Sequence, residues 1–176
     1  MSLWALKKQA VAAERAKPNK VNTAQLRAQK DVTELDLPKT MEALFPDPDD
    51  FLNFELVISP DEGLYRGGRF HFTFHIVPNY PYDPPKVQCT QKIYHPNIDL
   101  DGKICLNILR EDWKPVLNLN SIVVGLQFLF LEPNPDDPLN KDAAEHLHKN
   151  SASFASQVRQ CMQGGVFNGV SYDRVV

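Results

Sequence analysis

Phe70, Phe72, Phe74 and Ile76 alternate with His71, Thr73 and His75. A period of two predicts a strand with one buried face and one wetter face. Phe54, Leu56 and Ile58 show the same alternation, and the Gly67-Gly68 pair supplies turn geometry between the two strands. Pro81, Pro84 and Pro85 force an irregular extended stretch before a short strand over 87–89. Helical periods frame this β region. Asn22, with Gln25 three positions on, starts a helix whose apolar face is Ala28, Val32 and Leu35, and Pro38 marks its stop. Leu119, Ile122, Val123, Leu126, Leu129 and Phe130 predict a helix apolar enough to be largely buried. Beyond the prolines at 133–138, Ala143, Ala144 and Leu147 predict a short helix. Phe154, Val158 and Cys161 predict another, closed near Gly164-Gly165. Helix, strand meander, long loop and helices in that order read as α+β with an antiparallel sheet, and no internal repeat is present.

The first 21 residues differ in kind. They are basic and Ala-rich, with an apolar cluster at Leu3, Trp4 and Leu6 and a stop at Pro18-Asn19. Lys7, Lys8, Arg15, Lys17 and Lys20 stand against Glu14 alone, a net +4. The whole chain carries −3, which leaves −7 for the rest. The expected organisation is a basic tail over 1–21 and one domain over 22–176, and 176 residues suffice for a single core. The small net charge argues against nucleic acid as a bulk electrostatic partner. No apolar run reaches the ~20 residues of a membrane span, and the N-terminus lacks a secretory apolar segment. With a single Ser and Glu14, the tail is also a poor transit peptide.

Three cysteines, Cys89, Cys105 and Cys161, cannot all pair within the chain, and no Cys-x-x-Cys spacing occurs. A disulfide framework or zinc site is therefore not expected, and a reducing compartment is. A cysteine is by default a small buried hydrophobe. That reading suits Cys89, in a strand pattern, and Cys161, on an apolar helical stripe. Cys105 differs, because it follows the tight-turn pair Asp101-Gly102 and precedes a long loop containing Trp113 and Pro115, which places it near the surface. His95-Pro96-Asn97 lies just upstream. A Cys–His pair invites a hydrolase reading, but no local residue orients His95, and a structural hydrogen-bond role fits it better. The Asn97 amide can donate to an oxyanion. Asp136 and Asp137 read in isolation as turn residues.

These segments resemble, in order, the motifs of the ubiquitin-conjugating enzyme family: Tyr80-Pro81-x-x-Pro84-Pro85-Lys86, Ile93-Tyr94-His95-Pro96-Asn97-Ile98, Gly102-Lys103-Ile104-Cys105-Leu106, Trp113-x-Pro115 and Pro133-Asn134-Pro135-Asp136-Asp137-Pro138-Leu139. The resemblance spans roughly residues 25 to 162. It implies an N-terminal helix, a four-stranded antiparallel sheet, an active-site loop, a central helix and two C-terminal helices. It also implies that Cys105 takes a ubiquitin-like modifier as a thioester from a heterodimeric activating enzyme and passes it to a lysine. Asn97 would stabilise the oxyanion or the loop that shapes it. Tyr94 and Asp137 would flank the incoming lysine, and Tyr82 and Pro115, with Trp113 packed behind, would dock a RING-type ligase. No bound cofactor is implied, since ATP is used upstream.

Asn107 two residues past the cysteine, the extra tail, Pro60-Asp61-Glu62-Gly63 and the segment from Leu106 to Leu117 are similar to the neddylation branch, which modifies cullins. Leu3, Trp4 and Leu6 resemble that branch's anchor for its activating enzyme. Ser2 departs from the branch, because it favours loss of Met1 and with it the acetyl-methionine used for co-ligase docking. A monomer acting in cytoplasm and nucleus is the expectation. Three alternatives stay open from the sequence: a conjugating enzyme for ubiquitin itself, an inactive binding module of the same fold (such variants typically lack the cysteine), and a cysteine hydrolase.

Overall fold

The computed structural model describes residues 22–176, so the 1–21 tail with Leu3, Trp4 and Leu6 lies outside the described residues. The first helix, α1, spans Thr23–Thr33. Asn22 caps it by accepting from the Ala24 N–H, and the Gln25 side chain accepts from the Asn22 N–H, completing the expected capping box. Its buried face holds Ala24, Ala28 and, unexpectedly, Asp31. The helix closes at Glu34, so Leu35 packs from beyond its end.

Four strands follow: β1 (Met41–Leu44), β2 (Asn53–Ile58), β3 (Phe70–His75) and β4 (Lys86–Cys89). They form an antiparallel meander in chain order. The register pairs Leu56 with Phe72 and Phe72 with Cys89, and Phe54 with Phe74 and Phe74 with Val87. The alternating aromatic residues thus share one face, as the period of two requires. The opposite face carries Thr73, His75, Lys86 and Gln88 to solvent. The sequence pattern had not marked β1, which is four residues long with a single buried position, Met41.

The central helix α2 (Leu119–Leu131) buries all six residues of the predicted stripe. Phe130 stacks on Phe70 with ring centroids 4.5 Å apart and meets Phe72 and Tyr65 edge-on. Helices α3 (Lys141–Lys149) and α4 (Ser151–Met162) close the domain, each opened by an asparagine cap, Asn140 and Asn150. A two-residue hairpin, β5 (Val166–Phe167) with β6 (Val170–Ser171), follows and was not anticipated. Elements this short show no period.

Candidate active site

The cysteine segment is held as a hairpin-like return. Gly102 turns the chain with φ +81°, and a Cβ there would stand 1.9 Å from the Cys89 carbonyl oxygen, so glycine is required twice over. Ile98 bridges to Ile104, and the Cys105 N–H donates to the Asn97 carbonyl at 2.8 Å. The Asn97 side chain then reaches the proline-rich loop. Its Oδ1 accepts from the Asn134 N–H at 2.9 Å, and its Nδ2 donates to the Asn134 carbonyl at 2.7 Å and the Asp137 carbonyl at 3.4 Å. One 2 %-exposed residue therefore ties the cysteine strand to the acidic loop. Donation to an oxyanion would require the amide to give up one of these bonds.

That loop carries Asp137 back to the thiol, with Oδ2 3.3 Å from Cys105 Sγ. From the other side, Arg110 donates from Nη2 to Sγ at 3.1 Å. Cys105 is 8 % exposed, buried where the turn and loop around it predicted a position near the surface. Burial, and then the neighbouring Asp137 carboxylate, push its thiol up, while the Arg110 guanidinium pulls in the opposite direction. The resting sulfur is thus a protonated thiol, not a thiolate. Cys89 and Cys161 have no such setting. Burial pushes Cys89 up to about 11 and raises Cys161, and both belong to the core.

His95 takes the structural role expected of it. Its Nδ1 accepts from the Asn97 N–H at 2.9 Å, which leaves the Nε2–H to donate to the Leu129 carbonyl at 2.7 Å. Burial holds the ring neutral, with its pKa down to about 4. The unfolded chain takes up this proton near pH 6.5 and the folded chain only near 4. Stability present above pH 6.5 is therefore lost as pH falls through that window, roughly 2 kcal/mol by pH 4.5. Urea unfolding of wild type and His95→Gln at pH 7 and pH 4.5 should show a steeper fall for wild type by about that amount. Equal falls would contradict a neutral buried histidine.

Tyr94 does not join the sulfur. Its ring packs among Phe154, Phe167 and Tyr172, and its hydroxyl pairs with His146 Nδ1 at 3.1 Å. The structure thus gathers Cys105, Asn97 and Asp137 into one constellation and puts the Tyr94 side chain in another. Tyr82 is 72 % exposed and Val116 82 % exposed, with Pro115 also at the surface. Trp113 lies behind them, its Nε1–H donating to the Pro81 carbonyl at 2.8 Å. Arg27 of α1 braces this platform by donating to the carbonyls of Pro115 (3.1 Å) and Leu117 (2.8 Å), while its Nε pairs with buried Asp31, which also holds the Tyr80 hydroxyl.

Two residues of the site carry roles that sequence reasoning missed, Arg110 and Asn134. The available signal for Arg110 was its place as the first charged side chain after the cysteine, ending the run Leu106-Asn107-Ile108-Leu109.

Comparison with known proteins identifies the family and the fold. The family model described as ubiquitin-conjugating enzyme matches residues 27–162. The chain is similar to the NEDD8-conjugating enzyme UBC12 of Yarrowia lipolytica, 53 % identical over 176 residues that cover 100 % of this chain and 98 % of the relative. It is 59 % identical to the Nedd8-conjugating enzyme UbcE2M of Drosophila melanogaster over 167 residues, 94 % of this chain and 92 % of that one. The solved structure of S. cerevisiae Ubc12 superposes with a TM-score of 0.86 at 47 % identity, covering 98 % of this chain and 96 % of the other. With the fold and the motif order in place, the chain belongs to the ubiquitin-conjugating enzyme family.

Proposed function

We propose that this chain is a NEDD8-conjugating enzyme that accepts NEDD8 on Cys105 as a thioester from an activating enzyme and passes it to a substrate lysine. The observation that carries the carrier role is the setting of Cys105, the one thiol of three flanked by both a carboxylate and a guanidinium. The choice of modifier rests on relatives more than 50 % identical across nearly the whole chain. Cullins are the acceptors, a RING-type ligase docks at Tyr82, Pro115 and Trp113, and ATP is spent by the activating enzyme. Cytoplasm and nucleus are the compartments of action. Asn97 acts chiefly by shaping the loop, and Asp137 orients the amine and receives its proton. Tyr94 supports the wall beside the lysine's approach from within its aromatic cluster.

The test is charging purified full-length protein with ubiquitin or NEDD8, each with its own activating enzyme, and resolving products on non-reducing gels. Rapid charging with NEDD8 is expected. Efficient charging with ubiquitin and none with NEDD8 would move the chain to the ubiquitin-carrying class.

The tail sharpens this choice. Trp4 is its largest apolar side chain, and full burial of an indole, ~200 Å² at ~25 cal/mol/Å², sets a ceiling near 5 kcal/mol. Ordering a chain segment on docking reduces that to roughly 1–3 kcal/mol. Trp4→Ala, or deletion of residues 1–21, should slow NEDD8 charging about 5–150-fold with little change in melting temperature. The measurement is initial charging rate against conjugating-enzyme concentration, and equal rates would show the tail to be idle in charging.

A further inference from the structure

Cys105 Sγ faces two charged groups, and only one of them has been given a task. Arg110 closes the 3₁₀ turn Asn107–Leu109, its N–H donating to the Asn107 carbonyl at 2.9 Å. The turn is seated on α2 where Gly125 leaves no room for a side chain, since a Cβ there would come within 3.0 Å of Leu106 and 3.3 Å of Ile108. The backbone origin of Arg110 is therefore fixed by core contacts. Its guanidinium then spans Sγ, at 3.1 Å from Nη2, and Glu111, at 3.8 Å from Nε. We propose that Arg110 is a further catalytic residue, whose guanidinium stabilises the Cys105 thiolate both when the sulfur attacks and when it leaves. This rests on Cys105 being the acyl carrier.

The chemistry asks for such a group twice. In loading, the Cys105 thiolate attacks the carbonyl carbon of the activating enzyme's thioester. A new C–S bond forms, the old C–S bond breaks, and the departing thiolate takes a proton from water. In transfer, the lysine nitrogen attacks the same carbonyl carbon and a C–N bond forms. The C–S bond breaks with its electron pair remaining on Cys105 Sγ, and the amine's proton passes to Asp137 or water. Sulfur is anionic at the start of the first step and at the end of the second. Asp137 opposes that charge, because its carboxylate pairs well with S–H and repels S⁻. Arg110 supplies the compensating charge-assisted contact. Once the sulfur is acylated it bears neither proton nor charge, and the conflict with Asp137 disappears just when the carboxylate is needed for the amine.

Among the described residues, the charged side chains facing Sγ are Arg110 from the turn and Asp137 from the loop after α2, so the thiol's titration should report both. The experiment measures iodoacetamide alkylation of Cys105 from pH 6 to 10 in the full chain, resolved by site with mass spectrometry. Arg110→Gln, similar in length but uncharged, should move the midpoint up and slow alkylation at pH 7.5 roughly 3–15-fold, a range kept small because the guanidinium is half-exposed. The plateau at high pH should not fall. Arg110→Lys should restore most of the neutral-pH rate, and Asp137→Asn should move the midpoint down. An Arg110→Gln profile that overlies wild type, or alkylation faster at every pH as expected if Arg110 only shields the thiol, would overturn the proposal. Wild-type charging in the same preparations separates the two readings. A wild type that charges while the Arg110→Gln profile stays put sinks Arg110 alone. A wild type that never charges sinks the carrier reading.

Discussion

Cys105→Ala incubated with NEDD8, its activating enzyme and ATP should form no thiol-labile adduct, and its conjugating activity should be lost outright. The sulfur is the only group in the Cys105–Asp137–Arg110 cluster able to hold an acyl group through a bond that a thiol can break. Cys105→Ser should trap an adduct that resists reducing agent, because an alkoxide is a far poorer leaving group than a thiolate. Cys89→Ala and Cys161→Ala should charge normally, since both thiols are buried in the core and raised by that burial. Their cost falls on stability, ~1–2 kcal/mol for a small cavity. Non-reducing and reducing gels run side by side check all four variants, and an adduct that persists in Cys105→Ala would overturn the assignment.

The second large effect separates discharge from charging. A free lysine with pKa ~10.4 is deprotonated in only about one molecule in 2,500 at neutral pH, so the site must select and deprotonate the amine. Asp137 stands beside Sγ, the position our proposal gives to the group that does this, and the Asn97 side chain bonds to the loop that carries it. Asn97→Ala and Asp137→Ala should both charge at near-normal rates. Asp137→Ala should if anything charge faster at neutral pH, because the carboxylate that raises the thiol is gone. Transfer to lysine should slow by roughly 10–1,000-fold in each, the scale of a lost proton acceptor or of lost preorganisation. The Asp137→Ala defect should shrink as pH rises and the amine deprotonates unaided. If Asn97 acts through the loop, Asn97→Ala should share that pH dependence. A pure oxyanion donor would leave a defect that pH does not touch. Single-turnover discharge of pre-charged enzyme onto lysine from pH 7 to 9.5 reads both, and normal rates in both variants would return these residues to turn chemistry alone.

Where the sequence was legible, an unbroken period met a single layer of packing. The six-residue stripe of α2 and the Phe70, Phe72, Phe74 alternation each need only one buried face, so the residue pattern carries the information by itself. Asp31 was illegible for the opposite reason. An aspartate on the inner face of α1 makes sense only once Tyr80 and Arg27 are beside it, and Tyr80 comes from 49 residues along the chain. The candidate site divides the same way. Cys105, Asn97 and Asp137 were reached through the order of the motifs, but nothing local brings Asp137 to a sulfur 32 residues earlier. That meeting depends on the Asn97 side chain bonding to both Asn134 and Asp137 backbone carbonyls, a tertiary contact with no sequence period. Arg110 lies close in sequence and was still missed, because its contact depends on a 3₁₀ turn that Gly125 admits from α2.

Whether one thiol carries NEDD8 and then gives it up to lysine is tested most directly by a pulse–chase. Enzyme is charged with labelled NEDD8, the activating enzyme is stopped by removing ATP, and a cullin with its RING-type ligase is added as acceptor. The thiol-labile adduct on Cys105 should decay at the rate at which a thiol-resistant cullin conjugate appears, mole for mole. Conjugate that accumulates while the adduct stays intact, or that forms equally well from Cys105→Ala, would contradict it.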